Sequence, residues 1–370
     1  MLHPIPAITG RRIRIALVGC GRISANHIRA IAQHHDRAEL TAICDTQPER
    51  LQQAQQRITE AAQEHPGAAS LPVQFSQYRE LLAAVQSGST PVDMVVLATP
   101  SGLHPGQVIA AAEAGLHVCT EKPMATRWAD GVAMVKACDQ AGVRLFVVKQ
   151  NRFNSTLQLV KRQVEKGRFG QIAIVAVNVF WQRPQSYYDQ DGWRGTWELD
   201  GGALMNQASH YIDLLDWLVG PVLSVSASIA TLGRSIEVED TAALQLRWRN
   251  GALGTMAVTM LTYPKNLEGS ITILGENGSV RVGGPAVNRI EHWSFANESA
   301  DDALIDEASY ATTSVYGFGH TPYYANILDA LQGNSEPLCD GREGLRSLEI
   351  LIAAYQAARN NCTVGLPLEL

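Results

Sequence analysis

Over the first 150 residues, unbroken apolar runs alternate with longer stretches that are apolar on one face only. The runs are "RIRIALVG" (12–19), "AELTAICD" (38–45), "VQF" (73–75), "VDMVVLAT" (92–99), "HVCTEK" (117–122) and "RLFVVKQN" (144–151). Apolarity without alternation predicts strands covered on both faces, as in a parallel sheet. Between them lie helical stretches: Arg22 to Gln33, "PERLQQAQQRITEAAQE" opening at Pro48, "YRELLAAVQSG", "HPGQVIAAAEAG" and "WADGVAMVKACDQAG". Three of these stop at Gly88, Gly115 and Gly142, where a left-handed cap favours glycine. "EHPGAASLP" (64–72) reads as a loop. Strands separated by helices imply a right-handed, doubly wound parallel sheet, a Rossmann domain over residues 1–150.

The pattern changes after Asn151. A helix, "STLQLVKRQVEKG", leads into the strand "IAIVAVNVFWQ" (172–182). "LDGGALMNQASHYIDLL" reads as one helix carrying His210. Strands are then predicted near 222–231, 240–249, 252–261, 269–275 and 279–283, with Asn250-Gly251 and Asn277-Gly278 as hairpin turns. Hairpins in series build an antiparallel or mixed sheet. The fold class is therefore α/β: the Rossmann half followed by an α+β domain over 151–370, whose two closing helices can pack on either half.

Composition narrows the class. Of 370 residues, 46% are apolar and 18% charged, and the net charge is -6, which argues against a nucleic-acid or membrane-surface partner. No apolar run approaches the roughly 20 residues of a spanning helix, and the N-terminus lacks a secretory pattern, so a cytoplasmic protein is expected. Six cysteines without a C-x-x-C spacing point to buried thiols, with no metal site.

"LVGCGRIS" carries Gly19-x-Gly21-x-x-Ser24 between a strand and a helix. The first glycine allows the tight turn, and the second lets backbone approach a pyrophosphate on the helix N-terminus. Arg22 and Ile23 lie on the same turn, and Arg22 can stack on adenine or meet a phosphate. Asp45 ends the second strand, where the fingerprint needs an acid for the ribose hydroxyls; its other reading is a turn acid before Pro48. A carboxylate there favours NAD over NADP. Ligands of such sheets sit beyond the strands' carboxyl ends. That places Thr99, Pro100, Ser101 and His104 of "ATPSGLHP", Glu121 and Lys122 of "CTEKP", and Gln150 of "KQNRFN" near the cofactor. His104 can instead be a helix N-terminal residue, and Lys122 taken alone can be a solvated surface lysine.

These pieces in this order, with "GGALMNQASHYIDLLDWL" after them, resemble the Gfo/Idh/MocA oxidoreductases over essentially the whole chain. The segments "NVFWQRPQSYYDQDGWRGTWELDGGALMNQASHYIDLLDWL" and "TTSVYGFGHTPYYANIL" resemble most the branch of UDP-N-acetylglucosaminuronate 3-dehydrogenases. The resemblance implies an open-faced, largely antiparallel sheet in the second domain, a homotetramer or homodimer formed through it, NAD as cofactor and a nucleotide-sugar acid as substrate. It also implies oxidation of the sugar C3 hydroxyl in bacterial surface-polysaccharide synthesis, with 2-oxoglutarate recycling NADH in some members. Lys122, Asn206 and His210 carry over as the catalytic neighbourhood.

Oxidation of a secondary alcohol needs a group to take the hydroxyl proton. Lys122 and His210 are the candidates. Relatives with an acid four residues before the histidine have a carboxylate on the same helix face; here that position is Asn206, which cannot carry charge. The balance shifts to Lys122 as base, with His210 sharing the proton and Asn206 positioning the sugar. Asp213 is a candidate partner for His210 or a structural acid. For the substrate's anions and rings the candidates are Arg152, Trp193, Arg194 and the glycine-rich segment with Ser314, Tyr316 and His320. Another sugar or inositol dehydrogenase, and a catalytically silent NAD-binding regulator, are the competing readings.

Overall fold

The computed structural model describes residues 5–69, 71–312 and 317–368. The chain forms two compact units, Met1–Val148 with His320–Leu345, and Lys149–Gly319 with Arg346–Leu370.

The first unit is built on a six-stranded parallel sheet in the order β3-β2-β1-β4-β5-β6. Its strands are β1 (Ile13–Val18), β2 (Ala38–Cys44), β3 (Val73–Phe75), β4 (Met94–Leu97), β5 (His117–Thr120) and β6 (Leu145–Val147). They coincide with the apolar runs because helices cover both faces. Met94, Val95, Val96 and Leu97 of β4 are all fully buried. Gly88, Gly115 and Gly142 take positive φ of 77°, 75° and 65°, the left-handed conformation that a side chain resists. The helix His320–Leu331 returns from the far end of the sequence and packs on the helix Ser24–Gln33. Arg37 clamps the pair by bonding Asp329 (2.6 Å) and Gln332 (2.7 Å).

The second unit holds an eight-stranded sheet in the order β13-β12-β11-β7-β10-β9-β8-β14. The strands are β7 (Ile172–Phe180), β8 (Val222–Ala230), β9 (Thr241–Trp248), β10 (Leu253–Thr259), β11 (Glu268–Gly275), β12 (Gly278–Gly283), β13 (Arg289–Phe295) and β14 (Val364–Gly365). β7 and β10 run parallel and the remaining neighbours antiparallel. Along β9, Ala242, Leu244, Leu246 and Trp248 point inward between exposed neighbours, the alternation of a sheet covered on one face. Asn250-Gly251 and Asn277-Gly278 turn the hairpins as expected. β13 and β14 were not expected. Both are edge strands; β13 is half-exposed along its length and β14 has two residues, so neither carries a buried period.

One element differs in kind. The segment read as a continuous helix from Leu199 is a π-helical turn, Ala203–Gln207, followed by a separate α-helix, Ser209–Val219. The wider turn closes through Ala208 N–H to the Ala203 carbonyl, 2.9 Å. Asn206 lies on the π-turn and His210 on the α-helix that follows.

Candidate active site

In the first unit the site begins at the glycine turn. Gly19 has φ +91°, and a Cβ there would lie 2.5 Å from the Ala98 carbonyl oxygen, so the turn excludes a side chain on two counts. At Gly21 the nearest atom to such a Cβ is Arg50 Nη1, at 4.0 Å. The protein leaves that space open, which suits a pyrophosphate approaching the backbone. Ser24 is buried and its hydroxyl donates to the Gly21 carbonyl, 2.7 Å. Asp45 accepts the Cys20 N–H (2.8 Å) and the Gln47 N–H (2.9 Å). It thus braces the turn with both carboxylate oxygens. Arg57, which the sequence did not single out, donates to the Gly21 carbonyl and the Ser24 hydroxyl, both 2.8 Å. Arg22 is exposed and Ile23 half-buried on the same turn.

Beyond β4, Thr99 donates to Gln107 (2.6 Å), Pro100 is half-buried and Ser101 is buried. His104 is fully buried with Nε2 3.0 Å from the Thr99 carbonyl and Nδ1 3.1 Å from the Pro123 carbonyl. It ties the loop after β4 to the loop after β5; burial pushes its pKa down against the pull of those carbonyls. The Lys122-Pro123 bond is cis. Glu121 accepts the Lys122 N–H (3.1 Å) and pairs with His27 Nε2 (3.1 Å), whose Nδ1 meets the Tyr324 hydroxyl at 2.8 Å. Burial pushes Glu121 up, but the His27 bond and the basic groups around it, Lys122 among them, outweigh burial and hold it at about 2. Lys122 itself is half-buried. His320, expected beside substrate in the second domain, opens the helix His320–Leu331 of the first unit and lies buried, edge-on to His27. Burial first, then His27, push it down to about 3. His27, Glu121 and His320 bring metal-type donor atoms within 4.8 Å of one another, but His27 spends both nitrogens on Glu121 and Tyr324.

In the second unit, the segment Gln150–Phe153 forms one tight turn after Lys149. Arg152 is buried and grips Asp213 with two bonds, Nε to Oδ2 at 2.8 Å and Nη2 to Oδ1 at 2.7 Å. Lys149 adds a third contact at 3.2 Å. Both oxygens of Asp213 are thereby engaged by cations, and two nitrogens of the Arg152 guanidinium are turned to it. The neighbour of His210 is instead Gln150, whose amide nitrogen lies 3.4 Å from His210 Nε2. Asn206 donates through Nδ2 to Asp200, which also takes the Gly195 N–H at 2.7 Å. A carboxylate does stand beside Asn206, supplied by the preceding loop.

Glu239 fastens the start of the π-turn. Its backbone carbonyl accepts the Ala203 N–H (3.0 Å) and its Oε1 accepts the Leu204 N–H (2.9 Å) and the Tyr355 hydroxyl (2.8 Å). Arg194 bonds Asp191 at 3.0 Å and lies over the rings of Tyr187 and Trp193, at 4.2 and 5.0 Å. Ser314 and Tyr316 lie outside the described residues. All six cysteines are free, and only Cys362 is exposed. Asp200 precedes the Gly-Gly pair in "LDGG" and was readable as a turn acid; Glu239, Tyr355, His27 and Tyr324 come from distant segments and had no local signal. Among the described residues, no helix is long and apolar enough to cross a membrane.

Comparison with known proteins matches the chain in two parts. Residues 13–149 match the NAD-binding Rossmann fold of the Gfo/Idh/MocA oxidoreductase family, and residues 161–366 its C-terminal α/β domain. The WlbA dehydrogenase of Bordetella pertussis, solved with NADH and UDP-GlcNAcA, is 62% identical. It covers 98% of this chain and 100% of its own, with a TM-score of 0.89. The WlbA dehydrogenase of Chromobacterium violaceum, solved with the same two ligands, is 57% identical over 100% of both chains, with a TM-score of 0.89. A D-apiose dehydrogenase of Paraburkholderia graminis is 28% identical, over 97% of this chain and 91% of that protein. On its glycine turn, its two-unit architecture and these matches, the chain belongs to the Gfo/Idh/MocA family of NAD-dependent oxidoreductases.

Proposed function

We propose that this protein oxidises the C3 hydroxyl of UDP-N-acetylglucosaminuronic acid to the 3-keto sugar, using NAD. The observation that carries the reading is the full-length likeness, at 62% and 57% identity, to two dehydrogenases solved with NADH and UDP-GlcNAcA. NAD, when bound, would supply the hydride acceptor for the carbinol carbon. The residues of this chain do the rest. Gly19, Gly21 and the N-terminus of the helix Ser24–Gln33 hold the pyrophosphate, and Asp45 meets the ribose. Lys122 takes the hydroxyl proton. His210, whose Nε2 lies 3.4 Å from the Gln150 amide nitrogen, is the second candidate for that proton. Asn206, its amide turned by Asp200, positions the sugar; Trp193 and Arg194 serve the same ligand.

The reading extends to surface-polysaccharide synthesis, to assembly as a homo-oligomer through the broad sheet of the second unit, and to reoxidation of retained NADH by 2-oxoglutarate. The test is NADH formation by the purified protein with UDP-GlcNAcA, against D-apiose, free hexoses and inositol. Fast NADH formation with UDP-GlcNAcA alone is expected. Turnover of a free sugar or cyclitol, with none of the nucleotide sugar, sinks the reading.

A further inference from the structure

The second unit contains a buried acid pair, Glu239 and Asp200, of which the chemistry above uses only Asp200. Glu239 is 2% exposed and Asp200 1%. Glu239 Oε1 receives the Leu204 N–H and the Tyr355 hydroxyl, while Oε2 is buried with no hydrogen-bond partner. Oε2 lies against Gly202: a Cβ there would sit 1.8 Å from it. Tyr355 completes the anchor by accepting the Met205 N–H at 3.3 Å. Three successive N–H groups, of Ala203, Leu204 and Met205, are thus held by Glu239 and Tyr355. The same turn presents Asn206 to Asp200.

The groups facing Glu239 are neutral or acidic. Tyr355 is kept neutral by burial, and Asp200 is the charged group acting on it. Asp240, next in the chain, turns its carboxylate away to the Leu232, Gly233 and Arg234 N–H groups. A negative charge on Oε2 would be desolvated, without a donor, and beside a second carboxylate. Burial first, and Asp200 with it, push Glu239 up to about 7.

We propose that Glu239 is a positioning residue for the substrate: protonated, it anchors the π-turn that carries Asn206, and its ionisation loosens that turn and weakens sugar binding. The second half rests on the reading that Asn206 holds the sugar; the first half does not. Loss of the proton charges a desolvated Oε2 beside Asp200, and the carboxyl shifts away, disturbing the Ala203 and Leu204 N–H groups that Glu239 holds. The consequence is a KM for the nucleotide sugar that rises with pH while kcat follows Lys122 and His210.

The experiment has a substrate-free arm and a kinetic arm. Hydrogen exchange across residues 203–207 of the wild-type protein, corrected for the intrinsic pH effect, is expected to lose at least about tenfold protection between pH 6 and 8.5. Glu239→Gln, which keeps the Oε1 acceptor and cannot ionise, is expected to hold its protection throughout. In kinetics, the wild-type KM for UDP-GlcNAcA is expected to rise several-fold over that range and the variant's to stay level, with kcat changing alike in both. Flat protection in the wild type, or a protection loss that the variant shares, overturns the anchor. A KM that rises equally in both overturns the positioning role. If no NADH forms with UDP-GlcNAcA, the proposed function fails and the exchange arm still decides the anchor.

Discussion

Each unit buries a glutamate beside a segment that its site depends on, and the two are held in opposite states. Glu121 lies between β5 and Lys122, against His27, and is kept at about 2. Glu239 lies under the π-turn, against Asp200, and is pushed up to about 7. Burial raises both. What differs is the neighbour: a basic ring and Lys122 in one case, an acid and neutral donors in the other. Burial pushes both acids up, and the neighbours decide whether that push survives.

The largest expected effect is at Lys122. If it is the proton acceptor, Lys122→Met lowers kcat by about 10²–10⁴ with NAD affinity kept, and His210→Asn costs less. Near-normal turnover in the lysine variant, with the histidine variant dead, moves the base to the second unit. Next come the glutamates themselves, each worth on the order of 3 kcal/mol. Glu121 has its folded pKa lowered from 4.5 to about 2, so its contribution is full above 4.5 and is lost as pH falls toward 2. Glu239 is raised from 4.5 to about 7, so the folded state loses stability as pH climbs from 4.5 to 7 and regains none above. Denaturant midpoints across pH should thus show Glu121→Gln weaker than wild type above 4.5, and Glu239→Gln relatively stronger above 7. Parallel curves for the two variants abolish the contrast.

Smaller effects separate the two glycine-led turns. Gly202→Ala meets the Glu239 carboxylate at 1.8 Å and is expected to cost about 1–3 kcal/mol by overpacking, read from the same midpoints. Unchanged stability would show that Glu239 is free to move aside. Gly21→Ala has open space at 4.0 Å and should change stability by less than about 0.5 kcal/mol. Its Kd for NAD, measured by calorimetry, should nevertheless rise at least about tenfold, equivalent to 1.4 kcal/mol. Unaltered NAD affinity would mean the pyrophosphate passes elsewhere.

The first unit was legible because its cues are local. A buried parallel strand shows as an unbroken apolar run, a left-handed cap as a glycine, and a phosphate turn as two glycines between strand and helix. The main strands of the second sheet were legible by alternation and by two Asn-Gly turns. β13 and β14 were not, since an edge strand with little buried surface leaves no period. In the site, the glycine turn, Asp45, Glu121 and Lys122 were found where strand ends place them, and Asn206 and His210 were named but misread as one helix.

Sequence alone determined the strand-and-helix plan, the nucleotide turn and the residue types at positions 122, 206 and 210, because each rests on contacts within a few residues. Tertiary structure decided their partners. His27 and Tyr324 behind Glu121, Gln150 beside His210, the two cations on Asp213, and the π-turn fastened by Glu239 and Tyr355 all join residues from 35 to 297 positions apart. Buried polar groups take whichever donor or acceptor the packed chain brings within about 3 Å, and no local pattern encodes that choice.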